Sequence, residues 1–141
     1  VTLDTLRMLF RLSPKNRIEY VHRDDVARAL AVAVSEPAAL GKTLMLGGGK
    51  GCRITHYDLI QTLFNALGLG HVPFEVFGDE SYYTDWMDTD ESQRILQFQS
   101  RRFEDYQEEL TRRMTPVRLA LRPGRSPLRW AFLSLLGPKK R

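Results

Sequence analysis

The chain has 141 residues, enough for one ordinary domain with a core. No window approaches the ~20 consecutive apolar residues of a membrane-spanning helix, and the opening residues lack a secretory pattern. One cysteine, Cys52, excludes an internal disulfide framework and a thiolate zinc site, so a reducing, cytoplasmic setting is expected.

The net charge of +4 conceals two opposed parts. Residues 1–109 carry 12 Lys/Arg against 17 Asp/Glu, whereas residues 110–141 carry nine basic residues and no acid. An acidic body is followed by a basic tail. The first residue is Val1, which points to a processed product or a piece of a longer chain.

In chain order, residues 2–12 read as a short helix with Leu3, Leu6, Met8, Leu9 and Phe10 at its apolar positions, broken at Ser13-Pro14. Residues 17–22, RIEYVH, alternate as a strand, with Ile18, Tyr20 and His22 on one face and Arg17 on the other. Asp24 or Asp25 is expected to cap a helix over 24–35, whose Val26, Ala29, Leu30, Ala33 and Val34 follow the rhythm of one buried face. Residues 42–46, KTLML, predict a short strand.

A helix over 55–67 is the best punctuated element. Thr55 and Asp58 form a near capping box, and Gly68 and Gly70 supply the stop. Residues 72–77, VPFEVF, predict an edge strand because of Pro73. Helices follow at about 88–97, with Asp88 as its cap, and 101–114. After Pro116 the chain is rich in Arg, Pro and Gly until an apolar run, Trp130 to Leu136.

The stretch LGKTLMLGGGKG at 40–51 invites comparison with a phosphate-binding loop. A Walker loop needs a glycine five residues before the Gly-Lys pair and must join a strand to a helix. Here that position is Glu36, and the Gly-Lys-Thr follows a helix and enters a strand. Gly47 and Gly49 would need a third glycine where Cys52 stands. The stretch reads instead as a helix stop at Gly41 and a tight turn at 47–51.

The order of parts carries more information. RIEYVHRDDVARAL, GKTLMLGGGKGCRIT, a helix ending in ALG, DWMDTDESQRILQFQ and FEDYQEEL succeed one another over residues 16–113. This order resembles the C-terminal third of NAD(P)-dependent short-chain dehydrogenases/reductases of the extended epimerase/dehydratase type. The resemblance implies an α/β fold: the C-terminal substrate-binding lobe of a Rossmann-type protein, mostly helical with a few short strands, over residues 1–115. Residues 116–141 form a basic, Pro/Arg-rich tail with a short apolar helix.

The family's chemistry is not expected in this chain. Its glycine fingerprint lies N-terminal to the matching region. Its Tyr-x-x-x-Lys pair is also missing: four residues after Tyr20, Tyr57, Tyr82, Tyr83 and Tyr106 stand Asp24, Gln61, Trp86, Met87 and Leu110. No catalytic, cofactor-binding or metal-binding residue is therefore assigned. NAD or NADP is expected in the parent protein, bound by its N-terminal Rossmann half, and not by this chain alone.

Carried over residue by residue, the resemblance implies that Tyr20 and His22, at the end of their strand, Arg53, where a turn enters a helix, and Tyr82, Tyr83 and Trp86, in the loop before the Asp-rich segment, line a small-molecule pocket. From Ile54 to Gln93 there is no Lys or Arg. A diphosphate needs cationic forks, so the substrate is expected not to be a nucleotide-diphosphate sugar. His22 beside Asp24 and Asp25 reads as structural rather than as an acid/base dyad, and Cys52 as an inert turn cysteine.

The tail opens a different class of function, a binding or scaffold protein. Its arginines, Trp130 to Leu136 and Lys139-Lys140-Arg141 could lie peripherally on an anionic membrane, or pack on the body or a partner. No nucleic-acid module is recognisable. The apolar faces of 24–35 and 55–67 further predict a sticky or homodimeric fragment.

Overall fold

The computed structural model describes residues 3–136. Helices dominate, joined by a small antiparallel sheet of two strands. The elements are α1 (Leu3–Arg11), β1 (Arg17–Glu19), α2 (Arg23–Ala33), β2 (Arg53–Thr55), α3 (His56–Leu67), α4 (Asp90–Leu96), α5 (Phe103–Leu121) and α6 (Arg125–Leu136). Short 3-10 turns lie at Pro37–Ala39, Lys50–Cys52, Phe74–Val76 and Arg122–Gly124. The side chains of Leu3 and Leu6, and all of Lys139-Lys140-Arg141, lie outside the described residues.

The chain divides into two compact units. The first comprises Val1–Asn16, Thr55–Thr84 and Gln107–Arg141. Its core gathers Phe10, Ile60, Phe64, Leu69, Val72 and Phe77, with Leu128, Phe132 and Leu133 of α6 packed against them. The Phe10 ring meets Phe64 edge-on at 6.1 Å and Phe77 at 5.3 Å, and Phe64 meets Phe132 at 6.3 Å. The apolar run near the C-terminus thus contributes to this core.

The punctuation of α3 is what its sequence demands. The Thr55 hydroxyl accepts from the Asp58 N–H and the Asp58 carboxylate from the Thr55 N–H, which satisfies two otherwise orphaned donors. Gly68 closes the helix at φ 72°.

Two expectations fail in this unit. Residues 72–77 hold a 3-10 turn at Phe74–Val76 rather than an edge strand: Pro73 caps the turn at φ −65°, and the Val72 N–H is taken by the Gln61 side chain at 2.9 Å. The helix expected to end near 114 also runs through Pro116 to Leu121. Pro116 is exposed, so the carbonyl deprived of its partner faces a hydrated surface, which softens the usual penalty.

The second unit comprises Arg17–Ile54 and Asp85–Tyr106. Ala29, Ile95, Leu96 and Phe98 form its core, flanked by Val32, Ala33, Leu44 and Leu46. His22, not Asp24 or Asp25, caps α2, its Nδ1 accepting from the Asp24 N–H at 3.2 Å. Asp25 is instead buried, accepting from the Ser100 N–H and hydroxyl and the Arg101 N–H.

Further differences are local. β1 stops at Glu19, three residues earlier than expected. Residues 42–46 form no strand, with no ladder partner among the described residues, and Leu44 and Leu46 pack against the core. The helix expected from Asp88 starts at Asp90, and Asp88 accepts from the Asp90 N–H at 3.2 Å ahead of the Thr89 cap.

Candidate functional site

Strand alternation builds the site. Arg17 and Glu19 are two apart in β1 and so share a face. Arg53 opens β2, the paired strand, and its Nε donates to Glu19 Oε2 at 3.1 Å. The Glu19 side chain is 0% exposed, and it also accepts from the Gly49 N–H at 3.0 Å and the Met87 N–H at 2.9 Å. One buried carboxylate therefore ties together both strands, the glycine turn and the Asp-rich segment. Burying that charge is tolerable only because a cation and two backbone donors compensate it.

The glycine turn is shaped by crowding. A Cβ on Gly47 would collide with the Glu19 carboxylate, and one on Gly48 with the Tyr20 carbonyl and the Cys52 side chain. Gly49 stands at φ 71°, against the Gln99 amide, which in turn donates to Gly47 O and Thr89 Oγ1, each at 2.9 Å. The Gly49 N–H that a phosphate would need is already given to Glu19. The turn leads through Lys50–Cys52 into β2, not directly into a helix.

Beside this turn lies a cavity of about 700 Å³, bordered by Arg17, Lys50, Arg53, Trp86, the Asp-rich segment and Gln99. The Arg17 guanidinium lies 4.5 Å from the Trp86 ring centre and that of Arg53 5.7 Å, both within cation–π range. Arg53 also donates to Met87 O at 2.9 Å. Arg17 meets Asp85 at 3.5 Å, and the Trp86 N–H together with Arg17 holds the Asp85 carboxyl below the usual range. The wall is a platform of one indole and two guanidiniums whose charges are internally countered.

Protein-family models, curated proteins and solved structures give no match to the chain.

Of the six side chains singled out from sequence, Arg53 and Trp86 line this cavity. Tyr20 does not; its ring packs 4.8 Å from Tyr106 and 5.8 Å from Phe103. His22 is buried at the α2 cap. Tyr82 and Tyr83 are exposed and belong to the first unit. Cys52 is fully buried, its Sγ donates to the Arg101 carbonyl, and burial with the nearby Asp25 and Glu19 carboxylates pushes the thiol up to about 11. That thiol holds its proton at neutral pH and is a poor nucleophile.

Sequence reading missed Glu19, Lys50 and Gln99, and it set Arg17 aside as pointing away. The signal lay in the same alternation. If Ile18 and Tyr20 face inward, Arg17 and Glu19 share the other face, which here carries the site.

Proposed function

We propose that this chain is the substrate-side lobe of an NAD(P)-dependent oxidoreductase, epimerase or dehydratase of the extended short-chain dehydrogenase/reductase type. The observation that carries the reading is that the glycine turn and the Asp-rich segment, two of the stretches on which the resemblance rests, border one cavity and are joined by one carboxylate, Glu19. In this reading the cavity admits the substrate, Trp86 offers it a flat apolar face, and Lys50 and the Arg17–Trp86–Arg53 platform orient its polar groups. Hydride and proton transfer belong to a dinucleotide and a Tyr-x-x-x-Lys pair supplied by the rest of the parent protein, so the chain alone is inactive.

Arg17 and Arg53 are already engaged by Asp85 and Glu19. A diphosphate would have to displace those carboxylates, which favours a smaller, less charged substrate than a nucleotide-diphosphate sugar.

The coding DNA upstream of the Val1 codon tests the reading. An open frame of roughly one further domain's length, carrying a strand, a glycine-rich turn and a Tyr-x-x-x-Lys, is expected. A stop codon or promoter there would overturn it.

A further inference from the structure

The first unit contains a second, chemically different depression, a groove of about 410 Å³ bordered by Gly68, Leu69 and Gly70 on one side and Arg122, Arg125, Ser126 and Arg129 on the other. Three arginines border it and no acid does. Positions 122, 125, 126 and 129 recur at three- and four-residue steps, which brings their side chains to one side of the turn and of α6.

Two of these arginines are fixed in place. Arg125 Nε donates to Gly68 O at 2.8 Å, and Arg129 Nη2 donates to His71 O at 3.0 Å. Gly68 makes room for this: a Cβ there would collide with the Arg125 guanidinium and press on Arg118. Capping the C-terminal end of α3 explains one donor of Arg125, and the His71 carbonyl in the segment that follows explains one donor of Arg129. It leaves most of the five N–H donors of each guanidinium to be satisfied. The Arg129 Nε is shielded from solvent and has no acceptor among the described residues, and a buried unpaired donor of this kind is costly. Arg122 is exposed and makes no ion pair among the described residues.

We propose that this groove binds a phosphate group. Three guanidiniums without a countercharge among the described residues match a tetrahedral dianion, whose several oxygens can accept from more than one fork. A carboxylate, with one charge and two oxygens, would neutralise fewer of these cations than a phosphate dianion. Arg125, anchored at the end of α3, and Arg129, anchored on the His71 carbonyl, are pre-ordered, so little side-chain freedom is lost on binding. The phosphate could be carried by a small soluble molecule or by a lipid headgroup.

Calorimetric titration with inorganic phosphate, at ionic strength matched with chloride, reads the first source. Co-sedimentation with phosphatidylcholine vesicles containing phosphatidic acid reads the second. Arg122→Gln removes an exposed guanidinium that makes no hydrogen bond or ion pair among the described residues, and is expected to weaken binding about tenfold. Arg112→Gln, on the exposed surface of α5, is expected to leave it unchanged. Saturable binding of inorganic phosphate lost in Arg122→Gln supports a soluble ligand; vesicle binding with the same sensitivity and no response to inorganic phosphate supports a lipid. Failure of both probes, or binding that Arg122→Gln and Arg112→Gln affect equally, would overturn the proposal.

Discussion

Glu19 is the residue on which the cavity beside Trp86 depends. Its carboxylate is buried and receives three donors, one of them charged, so truncation strands all three at once. Glu19→Ala is expected to destabilise the fold by about 3 kcal/mol or more, the usual cost of breaking a buried pair. Denaturant unfolding checks this, and a loss below about 1 kcal/mol would mean the network is not held as described. His56 provides a pH signature. Its ring is buried, Nε2 lies 2.7 Å from Leu9 O, and burial lowers its pKa below the ordinary 6.5. Between the lowered value and 6.5 the unfolded chain binds the extra proton, so stability is complete above pH 6.5 and declines as pH falls toward the folded value. His56→Gln should flatten that decline in thermal melts across the interval.

At the level of elements, α3 offers a paired comparison. Gly68 and Gly70 both stand at positive φ, but only at Gly68 would a Cβ meet neighbours, the Arg125 and Arg118 side chains. Both alanine variants carry the left-handed strain of about 1 kcal/mol, and Gly68→Ala should cost measurably more. Equal losses in thermal unfolding would show that the arginines do not pack there.

The same scale shows what a sequence discloses. The ends of α3 were legible because Thr55, Asp58 and Gly68 act through bonds within one turn. The strand expected at 42–46 was not, because a short apolar run bounded by glycines suggests a strand, while a strand also needs a distant partner edge. VPFEVF failed for a related reason: the Gln61 side chain took the N–H that a neighbouring strand would have received. Arg53 and Trp86, singled out through the resemblance, do border the same cavity. Glu19 was hidden, since a carboxylate in a short strand looks like a solvated residue until its three donors are seen.

At the scale of the molecule, no helix among the described residues is long and apolar enough to cross a membrane. Several large apolar side chains are nonetheless exposed. Leu30 and Val34, four apart on and just beyond α2, were expected on its buried face with Ala29 but are 60% and 88% exposed, because the second unit's core covers only the Ala29 side of the helix. If the chain is one lobe of a larger enzyme, such a face is covered in the whole protein and bare here. The isolated chain is therefore expected to self-associate with rising concentration, and the double variant Leu30→Gln/Val34→Gln to be more monomeric by light scattering. A clean monomer of the unaltered chain would count against the lobe reading.

The most direct measurement is energy transfer from Trp86 to a reduced nicotinamide, in the parent protein that the proposed function supposes. If the cavity beside Trp86 receives the substrate of a nicotinamide enzyme, exciting the indole should produce nicotinamide emission on adding NADH or NADPH. That emission should fall sharply in Trp86→Phe and persist in Trp130→Phe. Dinucleotide that binds with emission indifferent to Trp86, or no binding at all, would contradict the assignment.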